Sequence, residues 1–242
     1  MCTVSFVSAG NKKIITSNRD ENIQRPTAAA PMAEIVNGQK LIFPKDAKAG
    51  GTWFAASERG VVSVLLNGAF VKHVPAPPYR KSRGLILLDI IAAEYPLTSF
   101  AGIDLQNIEP FTVVHYMPGQ LFELRWDGNK KYERELDVSG NYIWSSATLY
   151  NEDVIAFRKD LFDRFIETTA APLPDDVHRF HAHNNNDEEN GFVINRSTGL
   201  KTFSITQAVT TPDKINFKHS DLLQDKTFEE TIQFPHSLIS QS

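Results

Sequence analysis

The sequence predicts an α+β fold in which two antiparallel sheets carry helices on their outer sides. Three observations predict it. Short alternating strands come in runs closed by tight-turn residues; two blocks of helical spacing stand between those runs; and strands do not alternate singly with helices, as a parallel doubly wound sheet requires. The chain has 242 residues, 41% hydrophobic and 10% aromatic, which is apolar material for one large core or two small ones. No repeat, low-complexity tract or charged linker divides it, and the Pro-rich stretch 74–78 is too short to separate domains. Residues 1–242 are therefore expected to form one domain.

Residues 2–8 alternate, with Cys2, Val4 and Phe6 against Thr3, Ser5 and Val7, and Ala9-Gly10-Asn11 is a turn before a second strand at 12–18. Folding this hairpin about Gly10 makes paired positions sum to about 20, which sets Cys2 opposite Asn18 and within a residue of Arg19 and Asp20. A second hairpin runs through 52–57, the turn Glu58-Arg59-Gly60 and a buried-looking strand at 61–67, and its register sets Asn67 opposite Gly50-Gly51. An asparagine ending an apolar run beside glycines is placed to offer its amide to a ligand. Asn67-Gly68 is equally an ordinary turn dipeptide.

Helical spacing follows at 82–95 and 97–105, then a meander of strands at 111–117, 121–126 and 131–136 with turns at Pro118-Gly119 and Asp127-Gly128-Asn129. A strand at 141–145 precedes an amphipathic helix at 151–168, whose apolar face is read as Val154, Phe157, Leu161 and Phe165, joined by Ile155 and Ile166. A short helix at 175–183 and strands at 192–195, 201–206 and 215–219 complete the pattern.

Charge and composition exclude several classes. With 25 Lys+Arg against 29 Asp+Glu the net charge is -4, so no basic excess recruits nucleic acid. The longest apolar run, 85–91, is broken by Asp89 and falls far short of the ~20 residues that span a bilayer; the start of the chain lacks a signal-peptide pattern. A soluble, cytoplasmic protein without a membrane span is expected. A single cysteine excludes a disulfide framework and a cysteine-rich zinc site. Phosphate-loop, G-x-S-x-G and H-E-x-x-H motifs are missing. His178, His181 and His183 with Asp187, Glu188 and Glu189 are metal-like residue types, but Asn184-Asn185-Asn186 between them reads as a solvated loop. No metal and no cofactor are expected.

The one cysteine is Cys2. Initiator methionine is normally removed before a small side chain, which would leave a thiol and a free α-amino group on one residue. That amine titrates near ~8, close enough to working pH to take the thiol proton. Nucleophile and base would then share residue 2. Beside it, Asp20 is suited to orient the amine and Arg19 to favour the thiolate. The alternative is a strand-end Arg/Asp pair of little energetic weight.

Met1-Cys2-Thr3, Asn18-Arg19-Asp20-Glu21 with Arg25-Pro26, Pro44-Lys45-Asp46, Gly50-Gly51-Thr52-Trp53, Leu65-Leu66-Asn67-Gly68 and Ser82-Arg83-Gly84 resemble, in this order, the NRDE family, also called the transport-and-Golgi-organisation protein 2 family. Its animal members are linked to haem and to lipid or acyl-CoA handling. More distantly the pattern is similar to the N-terminal-nucleophile (Ntn) hydrolases of the penicillin V acylase and bile-salt hydrolase type. That resemblance implies a four-layer αββα sandwich, Cys2 as nucleophile, Arg19 and Asp20 as the following Arg and Asp, Asn67 as an oxyanion donor and Arg196 as the late arginine. In those hydrolases the Arg and Asp are a few residues apart, whereas here they are adjacent. Where they place a second active-site asparagine the chain reads Trp144-Ser145-Ser146-Ala147, which puts Ser146 there.

Two functions follow as expectations. One is an N-terminal-cysteine hydrolase that cleaves a linear amide of an acylated small molecule through a thioester. Trp53, Phe54, Phe70 and Tyr79 are available for a hydrophobic acyl group, unless they are core. The other is a non-catalytic carrier of an acyl, acyl-CoA or haem ligand, with Cys2 or His73 as a haem axial ligand.

Overall fold

A computed structural model describes residues 3–234. The first hairpin joins β1 (Thr3–Ala9) to β2 (Lys12–Asn22), and its pairs sum to 21, with Thr3 opposite Asn18. The register is therefore one residue from the expected one, because the turn is centred between Gly10 and Asn11. β2 also runs on past Asn18, so Arg19 and Asp20 are strand residues whose side chains leave opposite faces. Next come β3 (Ala29–Val36) and β4 (Gln39–Lys45), then β5 (Phe54–Ser57) and β6 (Val62–Asn67). Phe54 pairs with Val64, the register the sequence predicts.

α1 (Arg83–Ile91) starts where the Ser82 side chain accepts the Leu85 amide, and α2 (Pro96–Gly102) starts at the proline that stops α1 from continuing. The meander is β7 (Phe111–Met117), β8 (Gln120–Trp126) and β9 (Lys131–Leu136), followed by β10 (Tyr142–Ser145). α3 (Glu152–Thr168) is capped by the Asn151 side chain, and α4 (Pro174–Ala182) opens on its proline. Residues 192–195, expected as a strand, make only the bridge between Asn195 and Lys201. β11 (Leu200–Thr210), β12 (Lys214–Asp221) and β13 (Lys226–Gln233) close the described chain.

These strands form two antiparallel sheets. Sheet A has the order β10-β1-β2-β11-β12-β13 and sheet B the order β3-β4-β5-β6-β7-β8-β9. Val4, Phe6, Ile15, Ala208 and Phe217 of sheet A pack on Phe54, Val62, Val64 and Val114 of sheet B as the inter-sheet core. Outside sheet B, α1 brings Ile86, Leu87 and Ile90 onto Leu65, Phe111 and Val113. Outside sheet A, Phe162 of α3 and Val177 of α4 cover Val7, Ile14 and Val209. The result is the α+β sandwich, helices outside two sheets. No helix among the described residues is long and apolar enough to cross a membrane.

One face differs from expectation. On α3 the fully buried positions are Arg158 and Phe162, while Phe157 is 44% exposed. The apolar stripe is rotated because Arg158 turns inward to Thr3, whose hydroxyl accepts from Nη1 at 2.6 Å.

Candidate active site

Cys2 and Met1 lie outside the described residues, so the site is built from what surrounds the start of β1. Thr3 pairs with Asn18 on one side and Ser145 on the other, so β1 begins between the strand that carries Arg19 and the strand that Ser146 follows.

Arg19 leaves β2 toward sheet B. Its guanidinium lies 4.2 Å from the Trp53 ring centre and bonds Asp46 at 2.9 Å, with only 4% of the side chain exposed. Burial pulls Arg19 below its ordinary value, opposed by Glu21 and Asp46; the group stays charged. Burial pushes Asp46 up, but the Ala49 amide, Arg25 and Arg19 outweigh it and hold the carboxyl below its usual range. Asp46 thus clamps Arg19 and, at 3.0 Å, Arg25. The clamp brings the Asn-Arg-Asp-Glu, Arg-Pro and Pro-Lys-Asp segments of this chain together.

Asp20 leaves β2 on the other face. Its carboxylate accepts from the Tyr150 hydroxyl at 2.7 Å and from the Thr202 hydroxyl at 2.6 Å. Arg158 stacks 3.6 Å from the centre of the Tyr150 ring, and Arg196 approaches the same ring at 5.1 Å. Arg196 also donates to the Glu189 carbonyl at 2.8 Å.

Asn67 ends β6, opposite Phe111. Its backbone carbonyl accepts from Ser146 Oγ at 2.8 Å, and Ser146 also meets the Thr148 hydroxyl at 2.9 Å. Ser146, 1% exposed, is thereby turned to the Asn67 main chain. The Asn67 side-chain amide bonds no other described residue.

Arg19 and Asn67 line one cleft of about 600 Å³, with Gly51, Trp53, Tyr79 and Arg83. Arg196 and Tyr150 line a neighbouring cleft of about 720 Å³, with Phe70, Leu149 and Ile155. Asn67 and Ala147 both border the small gap between them. Of the four aromatic residues, Phe54 is core, packed edge-on to Phe217; Trp53 and Tyr79 wall the first cleft and Phe70 the second. A Cβ on Gly51 would lie 2.4 Å from the Gly84 carbonyl carbon, so the Gly-Gly and Ser-Arg-Gly motifs are two backbones packed together at the cleft wall.

His181 sits in a buried polar line. His181 accepts or donates to Ser5 Oγ at 2.7 Å and also bonds the Asn18 side chain, and all three are fully buried. This Ser–His–Asn line has no water access, and burial, then the charges of His178 and Arg158, pull His181 down to about 3. His73 is bound to Glu109 at 3.1 Å. Among the described residues no group of three His, Cys, Asp or Glu is placed to hold a metal ion.

Sequence reasoning missed Tyr150 and Arg158. A lone tyrosine in a loop and an arginine in a helix carry no local signal of burial. Asp46, Gly51 and Arg83 were marked by the family motifs without a role.

Comparison with known proteins bears on the fold and the family. The chain is similar in structure to a Caenorhabditis elegans N-acylethanolamine-hydrolyzing acid amidase ortholog, with a TM-score of 0.60 and 10% identity over 85% of this chain and 92% of that one. It also resembles a variant of the conjugated bile acid hydrolase from Clostridium perfringens, with a TM-score of 0.48 and 9% identity over 97% of each chain. No curated protein matches it. At such identities the likeness shows the fold alone, an Ntn-hydrolase-like sandwich. The sequence profile of Transport and Golgi organisation 2 matches residues 1–213, and the chain belongs to that family.

Proposed function

We propose that this chain is an N-terminal-cysteine amidohydrolase acting on linear amides of acylated small molecules, with residues 1–242 as one catalytic unit. The observation that carries the reading is the convergence on one cleft of Arg19 and the Asn67 amide, which bonds no other described residue, although they lie on different sheets. The alternation read in the sequence groups Cys2 with Val4 and Phe6, which enter the inter-sheet core on the side Arg19 faces. The amidase neighbour hydrolyses N-acylethanolamines by its description, a linear C–N bond of the same kind.

In the proposed mechanism Met1 is removed and the Cys2 amine takes the thiol proton. The thiolate attacks the amide carbonyl; Asn67 and a backbone N–H stabilise the oxyanion. Collapse breaks the C–N bond, and the ammonium returns its proton to the leaving amine. Water then attacks the thioester, with the amine as base, and releases the acid and the free thiol. Arg19 supports negative charge on sulfur, and Asp20 orients the amine from a position fixed by Tyr150 and Thr202. Arg196 acts at the edge of the site through the Tyr150 ring. Ser146 serves by holding the Asn67 backbone.

The carrier reading draws on Ser146, whose hydroxyl is committed to Asn67 and Thr148 and leaves one oxyanion donor fewer. His73 lines neither cleft and is held through Nε2 by Glu109, and Cys2, the other expected axial ligand, lies outside the described residues. The clefts offer a carrier room for an acyl ligand. Kinetics separate the two. Cys2→Ser is expected to abolish acyl-amide turnover with ligand affinity kept, and Asn67→Ala to lower turnover ~100-fold or more with little change in binding. Turnover indifferent to both substitutions, with tight stoichiometric acyl binding, would establish the carrier.

A further inference from the structure

The cleft that holds Arg19 and Asn67 has donors left over and no acceptor to match them. Most of its charges cancel. Arg19 and Arg25 are neutralised by Asp46 and Glu21, Arg83 by Glu109 at 2.9 Å, and Lys81 by Asp89. Lys48 lines the same cleft and its ammonium has no ion pair among the described residues. The indole N–H of Trp53, a wall residue 3% exposed, is buried and has no hydrogen-bond partner among the described residues. The first turn of α1, whose Ser82, Arg83 and Gly84 face the cleft, contains no acidic residue to offset the helix dipole. A chain of net charge -4 thus keeps a local surplus of positive charge and of donors at this point.

The neighbouring cleft holds more hydrocarbon, and its charges are of both signs. Phe70, Val71, Leu149, Val154 and Ile155 form its apolar wall, beside Lys72, Glu152, Glu189 and Arg196, and Phe70 and Val71 are 52% and 69% exposed. Exposed apolar surface of this sort is where a hydrocarbon chain is buried. Asn67 lines the first cleft and a small gap that Ala147 of the second cleft also borders, so an acyl amide held at Asn67 has one half for each.

We propose that the substrate's amine portion carries an anion, a carboxylate or a phosphate, which seats beside Lys48 and the start of α1 while the acyl chain enters the apolar cleft. N-acyl amino acids and N-acylated phosphate-bearing amines are then preferred to neutral N-acyl amines. This rests on the amidohydrolase reading for the reaction, but the anion site itself is tested by binding.

Three probes of one acyl length decide it: N-octanoylglycine, N-octanoyl-O-phosphoethanolamine and the neutral N-octanoylethanolamine. Calorimetry on the Cys2→Ser protein is expected to show at least one anionic probe binding about tenfold or more tighter than the neutral one, weakening with salt. The stronger of the two anions identifies the group. Lys48→Glu, at an exposed position, is expected to erase the preference and leave the neutral probe unchanged. Equal binding of all three, binding of none, or a preference that survives both Lys48→Glu and Lys48→Ala would overturn the proposal. Turnover of the same probes by the wild type is read separately. Anion-selective binding without Cys2-dependent turnover would overturn the hydrolase reading and leave the anion site standing.

Discussion

Under α1 and α2, sheet B presents hydrocarbon: Leu65, Phe111, Val113 and Leu124 meet Ile86, Leu87 and Ile90. Under α3 and α4, the end of sheet A nearest Thr3 presents Thr3, Ser5, Asn18 and Asp20, all buried, to Arg158, His181 and Tyr150. Both layers exclude water, yet they do so at different cost. Hydrocarbon burial stabilises by about 25 cal/mol per Å². A polar layer gains little over it even when every group is paired, and loses heavily when one partner is removed. Arg158 shows how far the pairing goes. Its Nε bonds the Asn190 carbonyl at 3.0 Å, its terminal nitrogens bond Thr3 and the Gly191 carbonyl, and its flat face lies on Tyr150. A layer this specific holds the start of β1 and Asp20 in one arrangement, and that is the part of the fold the proposed chemistry needs.

Matched substitutions in the two layers give the largest expected contrast. Tyr150→Phe removes the hydroxyl from Asp20 and is expected to lower acyl-amide turnover by about 100-fold while costing about 1–3 kcal/mol of stability. Ile90→Ala is expected to cost about 2–5 kcal/mol with turnover per folded molecule unchanged. Urea unfolding alongside initial rates measures both. Equal losses of activity from the two changes would mean that the layers do not differ in role.

Acid provides a second contrast of intermediate size. His115 is held down to about 4 by burial, His219 to about 4 by burial and the charge of Arg19 against Asp221, and His181 to about 3. Their folded values lie below the unfolded value of ~6.5, so the unfolded chain binds more protons as pH falls. Their stabilisation is complete above about pH 6.5 and is lost as pH drops toward 4, by about 2 kcal/mol for each histidine at pH 5. Urea midpoints at pH 7.5 and pH 5 check this. A flat profile would show that these imidazoles are not neutral in the fold. The smallest effect is expected from Ser146→Ala, which removes one hydrogen bond to the Asn67 carbonyl: about 0.5–1.5 kcal/mol, and a fall in turnover of less than about tenfold. A loss comparable to that of Asn67→Ala would make Ser146 an oxyanion donor.

Much of the fold was legible where burial imposes a period. The meander from Phe111 to Leu136, the β5–β6 register and the Asn151 cap all follow from alternation and turn residues. β3 and β13 were not legible. Ala29–Val36 contains Pro31 and leaves Met32 and Ile35 exposed, and Lys226–Gln233 is charged and mostly exposed, since both are edge strands that bury little. At the site, Arg19 and Asn67 could be marked because each belongs to a motif with a register. Tyr150 and Arg158 become meaningful only when β2, β10 and α3 meet, more than a hundred positions apart along the chain from Thr3 and Asp20.

Intact mass of protein purified from its native source, before and after a thiol-reactive acyl probe, tests the central claim most directly. The account predicts a chain that begins at Cys2 and gains one acyl group, removed when Cys2 is replaced by Ser. Retained Met1, or a Cys2 that gains no acyl group, would contradict it.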